Sequence, residues 1–378
     1  MKRSSAFFAF ALANAACAAP PTDNPLATPL DRAVDEAAAV YIADACHVGL
    51  SIVVRAGQRD HFYNYGSVSR TRAKLPTADS VYELASVTKT FTGALAARAL
   101  VEGRMTLDAD FRAYLPSAYP NLATNGRPIS LRTLATHTSG LQRDLPDSDA
   151  VMGRHDYDHI GAQLATLNKG FGRTRSLSAL HDVTLRATPG ASFAYSNIGI
   201  RVIGYGLEKV TGMPLARLLA RDITHPLAMV DTGFSPSVAI RARLVTPYSR
   251  YGHPQPYHDA SAGAAYGLYS TPRDMAHYLA WQLDERDPVV ARAHALIRGT
   301  PAEGEGLIWN IGRDGDARLL WHGGGSFGIT SQIALFPDQG EGFVLLANDT
   351  CEGSESALKR IAMAIHGAMR RDATLKER

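Results

Sequence analysis

The sequence predicts an α/β fold, with an antiparallel sheet that is built from both chain ends and flanked by helices, and with an inserted all-helical domain. Strand-like apolar runs occur near the two ends of the chain. The middle, from about Tyr82 to about Met275, consists of helical segments broken by Pro and Gly. The chain has 378 residues and 46% hydrophobic content, which is enough for a substantial core. Strands at both ends of a helical middle imply one sheet assembled from the two termini.

The N-terminal segment has the layout of a secretory signal peptide. Lys2 and Arg3 precede an apolar run, and Ala16 and Ala18 form a small-residue cleavage site. The apolar run is too short for a stable membrane anchor. We therefore expect a signal peptide at residues 1–18 and a periplasmic or secreted protein with no stable membrane span.

The positions of the three cysteines provide evidence about lipid attachment and about disulfide formation in an exported protein. Cys17 is a candidate lipid-attachment site, but Asn14 stands where a lipoprotein signal usually has Leu, so we expect cleavage rather than a lipoprotein. Cys46 comes just before the first predicted strand, and Cys351 just after the last one. If those strands are antiparallel neighbours, the two thiols lie within disulfide reach. The sequence leaves open whether they are bonded or free.

The individual elements follow from periodicity and turn residues, in chain order. Apolar residues at helical spacing predict a first helix over residues 30–42. Two apolar or alternating runs, Gly49–Ala56 and His61–Ser69, flank the turn Gly57–Asp60 and predict a β-hairpin. A second helix is predicted over about Ala85–Val101, because apolar residues share one side of it and a glycine follows as its stop.

Strand signals return near the end of the chain, before a final amphipathic helix. The predicted strands are Gly306–Ile311, Ala317–His322, Ile329–Phe336 and Gly342–Leu346. The final helix is expected over about Ser354–Met369. We therefore expect one domain over residues 27–375, with its α/β part at about 27–80 and 300–375 and its helical part at about 82–300.

Composition and motifs exclude several function classes. The formal net charge is +3, the 39 basic residues nearly balance the 36 acidic ones, and no basic block stands out, so we expect no nucleic-acid partner. The sequence has no metal-ligand spacing such as H-E-x-x-H and no phosphate-binding loop, so we expect no metal and no other cofactor. We also expect a monomer.

The stretch WHGGGSFG contains a G-x-S-x-G match around Ser326, which is the pattern of an α/β-hydrolase nucleophile elbow. That elbow needs a strand, a serine on a sharp turn and then a helix, with the catalytic histidine later in the chain. Here the residues after Ser326 are strand-like, and the one later histidine, His366, lies in the final predicted helix. We therefore reject Ser326 as the nucleophile.

A different serine stands in a better setting. Ser86 and Lys89 form an S-x-x-K motif at the start of the second predicted helix. Residues i and i+3 of a helix share a face, so the Lys89 amine can take the proton of the Ser86 hydroxyl. The amine must then be partly neutral, which burial would achieve by lowering its pKa. At a helix N-terminus the Ser86 N–H has no intrahelical partner and can face an oxyanion.

Each motif expected around such a serine occurs twice, so order and setting decide between the copies. The pairs are Ser86-x-x-Lys89 and Ser356-x-x-Lys359, Tyr195-x-Asn197 and Tyr119-x-Asn121, and His322-x-Gly324 and His47-x-Gly49. Ser86 opens an apolar helix, Tyr195 follows a Pro-Gly turn before another helix, and His322 ends a strand before three glycines. Those glycines allow a substrate backbone to approach closely.

With these motifs, the chain resembles the serine β-lactamase and penicillin-binding superfamily, specifically its class C-like branch, and within it the AmpH-type D-alanyl-D-alanine carboxypeptidase/endopeptidases. The matching stretches are ELASVTKTFTGALAARAL, ISLRTLATHTSGL, TPGASFAYSNIG, GLYSTPRDMAHYL and WHGGGSFGITSQIALFP. They extend over most of the predicted mature chain in the family's order. The resemblance implies a class C β-lactamase-like fold, which agrees with the fold predicted from periodicity.

The resemblance also implies roles for the predicted site residues. Ser86 would be the acylated nucleophile, and Lys89 would be its proton acceptor. Tyr195 would hydrogen-bond to this pair and pass a proton to the leaving amine and from the deacylating water. Asn197 would bind an amide of the substrate.

The glycine-rich stretch would complete the site. The second oxyanion donor would be the backbone N–H of Gly325, directly after Gly324. His322 replaces the lysine that is commoner in this family, and a histidine is mostly neutral at pH 7 unless its pKa is raised. This difference puts efficient β-lactam turnover in doubt. Gln142 is a candidate cleft residue, and we interpret His137 as stabilising a loop.

The leading hypothesis is an exported serine hydrolase that forms an acyl-enzyme at Ser86. It would act as a D-alanyl-D-alanine carboxypeptidase/endopeptidase on peptidoglycan peptides and bind penicillins. Two alternatives keep the site and change the substrate: a class C-like β-lactamase, and an esterase acting on small acyl esters. A third is a penicillin-binding sensor that is acylated without turnover.

Overall fold

The computed structural model describes residues 21–258 and 263–371. The predicted signal peptide and Cys17 lie outside these residues. In the part of the chain that the structure describes, no helix is both long enough and apolar enough to cross a membrane.

Among the described residues, eight strands form one antiparallel sheet and four short strands form two separate pairs. The strands are β1 Gly49–Ala56, β2 Arg59–Gly66, β3 Tyr82–Glu83, β4 Ala123–Thr124, β5 Arg127–Pro128, β6 Tyr269–Ser270, β7 Arg298–Gly299, β8 Gly304–Glu305, β9 Asn310–Asp314, β10 Ala317–Gly325, β11 Thr330–Phe336 and β12 Glu341–Ala347. The order across the large sheet is β2-β1-β12-β11-β10-β9-β8-β7. Because β1 pairs with β12, with Val53 opposite Val344, the two chain ends share one sheet, and the predicted fold class is confirmed.

Most helices lie between β2 and β9, in the middle of the chain. The α-helices are α1 Pro29–Ala43, α2 Thr88–Val101, α3 Leu131–Ala135, α4 Asp149–Met152, α5 Ile160–Asn168, α6 Arg173–Ala179, α7 Asn197–Thr211, α8 Leu215–Leu219, α9 Val238–Arg241, α10 Gly263–Tyr266, α11 Pro272–Gln282, α12 Pro288–His294 and α13 Ser354–Arg371. Helices α1 and α13 pack on the same face of the sheet.

An apolar core lies on each face of the sheet. Leu50, Ile52 and Val54 of β1 pack in the core that contains α1 and α13. Val53 belongs to the second core, which includes α2, α7 and α11. Successive side chains of a strand point to opposite faces, so one buried strand supplies both cores. The helix α2, which follows the predicted nucleophile Ser86, is thereby fixed between the sheet and the helical region.

The first helix, the hairpin and three of the four C-terminal strands form close to their predicted bounds. The predicted strand Gly306–Ile311 is wrong, because β8 and β9 are separate strands joined by a tight turn. In that turn Ile308 has a φ of 69°, and the Gly306 N–H donates to the Trp309 carbonyl. Leu307, Ile308 and Trp309 are buried. The apolar run therefore marks a turn inserted into the core.

A disulfide bond joins Cys46 to Cys351, whose Cα atoms are 6.1 Å apart. Cys46 precedes β1 and Cys351 follows β12, and these strands are antiparallel neighbours. Beside the disulfide, His47 Nδ1 lies 2.8 Å from the buried carboxylate of Asp349. The bond links the first strand to the last at the edge of the cleft described below.

Candidate active site

Ser86 lies in a single 3-10 turn, Ala85–Val87, which leads directly into α2. The residue before it, Ala85, has a φ of 45°, a left-handed conformation that costs a non-glycine residue about 1–3 kcal/mol. Backbone and side-chain contacts hold the turn. The Leu84 N–H donates to the Leu268 carbonyl at 2.8 Å, and Ser331 Oγ donates to the Leu84 carbonyl at 2.7 Å. The surrounding strands therefore impose the conformation that presents Ser86.

Two polar side chains meet at Ser86 Oγ. Lys89 Nζ lies 2.9 Å from it, and Tyr195 Oη donates to it at 2.9 Å. Lys89 is fully buried and also donates to the Ala265 carbonyl at 2.8 Å. Because the amine is fixed by this carbonyl, it can exchange a proton with Ser86 without moving.

The electrostatics favour a neutral Lys89. Burial lowers the pKa of its ammonium group, and the neighbouring Arg143 lowers it further, although Tyr195 and Asp144 act in the opposite direction. A lysine whose pKa is lowered spends more time as the free amine, which is the form that accepts a proton. The geometry and the pKa shift therefore agree on a base beside Ser86.

His137 supports Tyr195 from behind. The two rings are 4.4 Å apart between centroids, the Ala194 N–H donates to the His137 carbonyl at 2.7 Å, and the Ser196 N–H donates to His137 Nδ1 at 3.2 Å. Burial and the nearby Lys89 lower the pKa of His137 to about 3. Since Nδ1 accepts a hydrogen bond, the neutral ring carries its proton on Nε2. These contacts fit the interpretation of His137 as a loop-stabilising residue.

Asn197 begins α7, directly after the N-cap residue Ser196. Its amide nitrogen donates to Asp144 Oδ1 at 2.9 Å, whereas its Oδ1 is buried and has no hydrogen-bond partner among the described residues. A buried acceptor without a partner costs about 1–3 kcal/mol. An unpaired acceptor in this position is what the predicted role of Asn197, to bind an amide of the substrate, requires.

The strand β10 borders the cleft with an open edge. Its neighbour β9 pairs with it from Ala317 to Trp321, and the residues from His322 to Gly325 extend beyond that pairing. On the side that faces β9, the side-chain amide of Asn310 donates to the main-chain carbonyl of Trp321 at 3.1 Å. Because backbone groups alternate in direction along a strand, the N–H of Gly325 points to this same open side. An extended substrate can lie along this edge.

His322 lies buried on β10 and is neutral. Burial and the nearby Lys89 lower its pKa to about 4. Its Nδ1 lies 2.7 Å from the Gly323 carbonyl, which only accepts, so Nδ1 carries the proton and Nε2 is an acceptor. The sequence left the charge of His322 open. In the structure, His322 supplies no fixed positive charge to the cleft.

Comparison with known proteins places this geometry in a family. The profile of the Beta-lactamase family matches residues 30–368. The chain belongs to the beta-lactamase family. The D-alanyl-D-alanine-carboxypeptidase/endopeptidase AmpH of Escherichia coli K12 is 28% identical over 313 residues, covering 78% of this chain and 77% of AmpH. Esterase EstB of Burkholderia gladioli is 31% identical over 233 residues, covering 61% of this chain and 56% of EstB.

Solved structures of this family share the fold. A class C beta lactamase superposes with a TM-score of 0.75 at 19% identity, covering 90% of this chain and 98% of the other. A beta-lactamase/D-alanine carboxypeptidase from Pseudomonas syringae gives a TM-score of 0.74 at 20% identity, covering 90% and 99%. The class C β-lactamase-like fold is therefore confirmed, and the family membership makes the chain a serine hydrolase.

The cleft of this beta-lactamase family protein has two arms that meet at Ser86. The acyl arm has a volume of about 320 Å³ and includes Asn197, Tyr157 and Ile160 in its lining. The leaving-group arm has a volume of about 350 Å³ and includes Tyr195 and His322. We name the arms for the substrate halves that the proposed mechanism would place there. Both arms have four lining residues in common, which form their junction: Ser86, Arg143, Gly325 and Glu355.

The second copy of each motif lies in a different environment. Tyr119 is buried and donates to the Leu177 carbonyl at 3.1 Å. His47 pairs with Asp349. Lys359 lies on α13, and its Nζ is 3.7 Å from the centroid of the Trp321 ring. Ser326 lines the acyl arm, but its backbone pairs with Ile329 in a turn between two strands, not before a helix. None of these copies has the lysine and tyrosine contacts of Ser86.

Gln142 is a neighbour of the cleft rather than part of its lining in either arm. The side-chain nitrogen of Gln142 donates to the main-chain carbonyl of Asp144 at 2.8 Å. The main-chain carbonyl of Gln142 accepts from Ser196 Oγ at 2.6 Å. The next residue, Arg143, lines both arms and lies 5.2 Å from the centroid of the Tyr195 ring. Arg143 was not predicted from the sequence, in which its only signal is its position directly after the predicted cleft residue Gln142.

Substitution of Gly324 by alanine tests the contact between β10 and the nucleophile turn. A Cβ at this position would lie 2.3 Å from Ser331 Oγ and 2.9 Å from the Ser86 nitrogen. Since a 1 Å displacement of a catalytic group costs about 100-fold, we expect kcat/KM on a p-nitrophenyl ester to fall about 10- to 100-fold.

The matched control is Gly323→Ala, where the nearest atom to the new Cβ is Gln332 Oε1 at 3.3 Å. That side chain can move, so we expect a much smaller loss of activity. Melting temperatures measured in parallel separate local displacement from unfolding. Equal losses in the two variants would contradict a specific contact at Gly324.

Proposed function

We propose that this protein is an exported serine hydrolase that cleaves D-alanyl peptides of peptidoglycan through an acyl-enzyme at Ser86, as a D-alanyl-D-alanine carboxypeptidase/endopeptidase that also binds penicillins. The observation that carries the proposal is the contact of Lys89 Nζ and Tyr195 Oη with Ser86 Oγ, each at 2.9 Å, beside an open strand edge. The N-terminal signal pattern and the Cys46–Cys351 disulfide support export, because disulfides persist in oxidising compartments.

In the acylation step, Ser86 Oγ attacks the carbonyl carbon of the scissile amide while its proton passes to neutral Lys89. The carbonyl oxygen becomes an oxyanion, which the N–H groups of Ser86 and Gly325 stabilise. Collapse of this intermediate breaks the C–N bond. The leaving nitrogen takes a proton from Tyr195 Oη, and Tyr195 recovers it directly from Lys89, with which it interacts by a side-chain hydrogen bond.

Deacylation runs through the same groups. A water molecule on the Tyr195 side attacks the ester carbonyl, and its proton passes to the Tyr195–Lys89 pair. The ester C–O bond then breaks, and Ser86 Oγ recovers its proton. No other titratable side chain contacts Ser86 Oγ among the described residues, so this pair would serve both half-reactions.

The charge state of His322 bears on which class of substrate the site favours. A lysine at this position would hold a permanent positive charge for a substrate carboxylate, whereas His322 is neutral and buried. This favours a peptidase or an esterase over an efficient β-lactamase. The similarity to the carboxypeptidase/endopeptidase AmpH supports the peptidase, and the similarity to Esterase EstB supports an esterase as second candidate.

Parallel rates on three substrates test the proposal. We expect kcat on a peptide ending in D-Ala-D-Ala to exceed that on a chromogenic cephalosporin, because the cephalosporin acyl-enzyme would deacylate slowly and deacylation limits kcat. A p-nitrophenyl ester serves as the reference for an intact site. Cephalosporin turnover faster by orders of magnitude would overturn the peptidase in favour of a β-lactamase, and turnover of the ester alone would favour the esterase. Acylation by penicillin without turnover of any substrate would indicate a sensor.

A further inference from the structure

The carboxylate of Glu355 lies in the cleft at the junction of the two arms. Glu355 is the second residue of α13 and lines both the acyl arm and the leaving-group arm, together with Ser86. It is distant from Ser86 in sequence, and no motif includes it. The proposed mechanism does not use it.

The glycines of β10 make room for this carboxylate. A Cβ at Gly325 would lie 2.2 Å from Glu355 Oε1, and a Cβ at Gly323 would lie 3.6 Å from Glu355 Oε2. The carboxylate therefore occupies the space that a side chain at Gly325 would fill, and it lies within van der Waals distance of position 323. It lies against the same residue, Gly325, whose N–H faces the open edge of the strand.

The Glu355 carboxylate has no hydrogen bond and no ion pair within residues 21–258 and 263–371. The other carboxylate of the leaving-group arm, Glu305, is paired with Arg298 at 2.8 Å. Limited hydration in the cleft raises the pKa of Glu355, although Arg143 and Lys89 oppose this shift. A substrate group that lies beside Gly325 would be next to this carboxylate and would feel its charge.

The junction holds one carboxylate, Glu355, and one cation, Arg143. Arg143 also lies 3.7 Å from the carboxylate of Asp144, so its positive charge is shared between the two carboxylates. His137 and His322 are neutral near pH 7, because their pKa values are lowered to about 3 and about 4. When Lys89 is the free amine, the form needed for catalysis, it adds no positive charge.

The position of Glu355 decides which half of the substrate it would contact. Tyr195, the proposed proton donor to the leaving group, lines the leaving-group arm, and Asn197 lines the acyl arm. Since Glu355 lies over Gly323 and Gly325, where the leaving-group arm begins, its nearest substrate atoms are those just beyond the scissile nitrogen.

We propose that Glu355 is a specificity-determining residue, which selects leaving groups that are cationic or neutral beside Gly323 and Gly325 and disfavours those with a carboxylate there. This inference rests on the proposed acyl-enzyme at Ser86. A departing D-alanine has its carboxylate two bonds from the scissile nitrogen. Glu355 therefore shifts the activity away from release of free D-alanine and towards peptides whose amine component has an ammonium group near the scissile bond.

Three thioesters of N-acetyl-D-alanine test this selection without requiring peptidase activity. Their leaving groups are thioglycolate, with a carboxylate two bonds from sulfur, methyl thioglycolate, which is its neutral analogue, and thiocholine, which is cationic. We expect wild-type kcat/KM to be about tenfold or more higher for the thiocholine ester than for the thioglycolate ester. Normalisation to the neutral ester corrects for differences in folding, and the intrinsic reactivity of the three thiols cancels when the ratio is compared between wild type and variant.

The variant Glu355→Gln is expected to lower the cation-to-anion ratio of kcat/KM by about tenfold. The matched control is Glu352→Gln, three residues earlier, because Glu352 lines the acyl arm but not the leaving-group arm, is 89% exposed and lies 3.8 Å from Arg250. The control should keep the wild-type ratio. Ser86-dependent turnover with the same ratio in Glu355→Gln as in wild type would overturn the inference alone. Thioester turnover that survives Ser86→Ala, or no turnover at all, would overturn the proposed function and the inference with it.

Discussion

Replacement of Ser86 by alanine is expected to abolish covalent labelling by a fluorescent penicillin and to reduce p-nitrophenyl ester hydrolysis by about 10⁴-fold or more. The physical reason is that Lys89 and Tyr195 converge on this one oxygen, each at 2.9 Å. Removing the oxygen leaves the base and the proton donor without an atom to act on. Gel fluorescence after labelling and initial rates on the ester measure the two effects.

Two further serines provide controls for this experiment. Ser356 belongs to the second S-x-x-K motif but lies exposed on α13, so Ser356→Ala should label and react as wild type does. Ser326→Ala tests the nucleophile elbow that the sequence pattern suggests, and we expect labelling to persist in this variant. Labelling that survives in Ser86→Ala, or disappears in Ser326→Ala, would contradict the assignment of Ser86.

The overall fold could be predicted because its main elements have clear periodicity. Leu50, Ile52 and Val54 alternate with Val53 between two cores, and this pattern is visible in the sequence as an apolar run between turn residues. The turn around Ile308 was not predictable in the same way. Its apolar residues are buried like those of a strand, and a left-handed φ at an isoleucine leaves no signal in the sequence.

The candidate site was predictable only where motifs describe it. The S-x-x-K spacing places Ser86 and Lys89 on one helical face, and the order of the motifs selects Tyr195 over its second copy. The charges of the cleft required the structure. Arg143 and Glu355 reach the junction from a loop and from a helix that are far apart in sequence. The burial that keeps His322 neutral depends on the packing of β10 against the nucleophile turn.

Replacement of Lys89 by methionine is expected to slow acylation by about 10³- to 10⁴-fold, because methionine fills a similar volume but accepts no proton. The pH dependence makes this prediction specific. The free amine is the base, so wild-type kcat/KM should rise with pH through the pKa of Lys89. Burial lowers that pKa, which places the rising limb below the ordinary lysine value of about 10.4. Initial rates on the p-nitrophenyl ester over a range of pH measure the limb.

The two histidines of the site cannot produce this limb near neutral pH, since the pKa values of His137 and His322 are lowered to about 3 and about 4. Lys359→Met, at the lysine of the second S-x-x-K motif, should therefore keep both the rate and the limb. In Lys89→Met the residual activity should lose its rise with pH. If the limb persisted there unchanged, the base would be another group, and the contact between Lys89 and Ser86 would only position the serine.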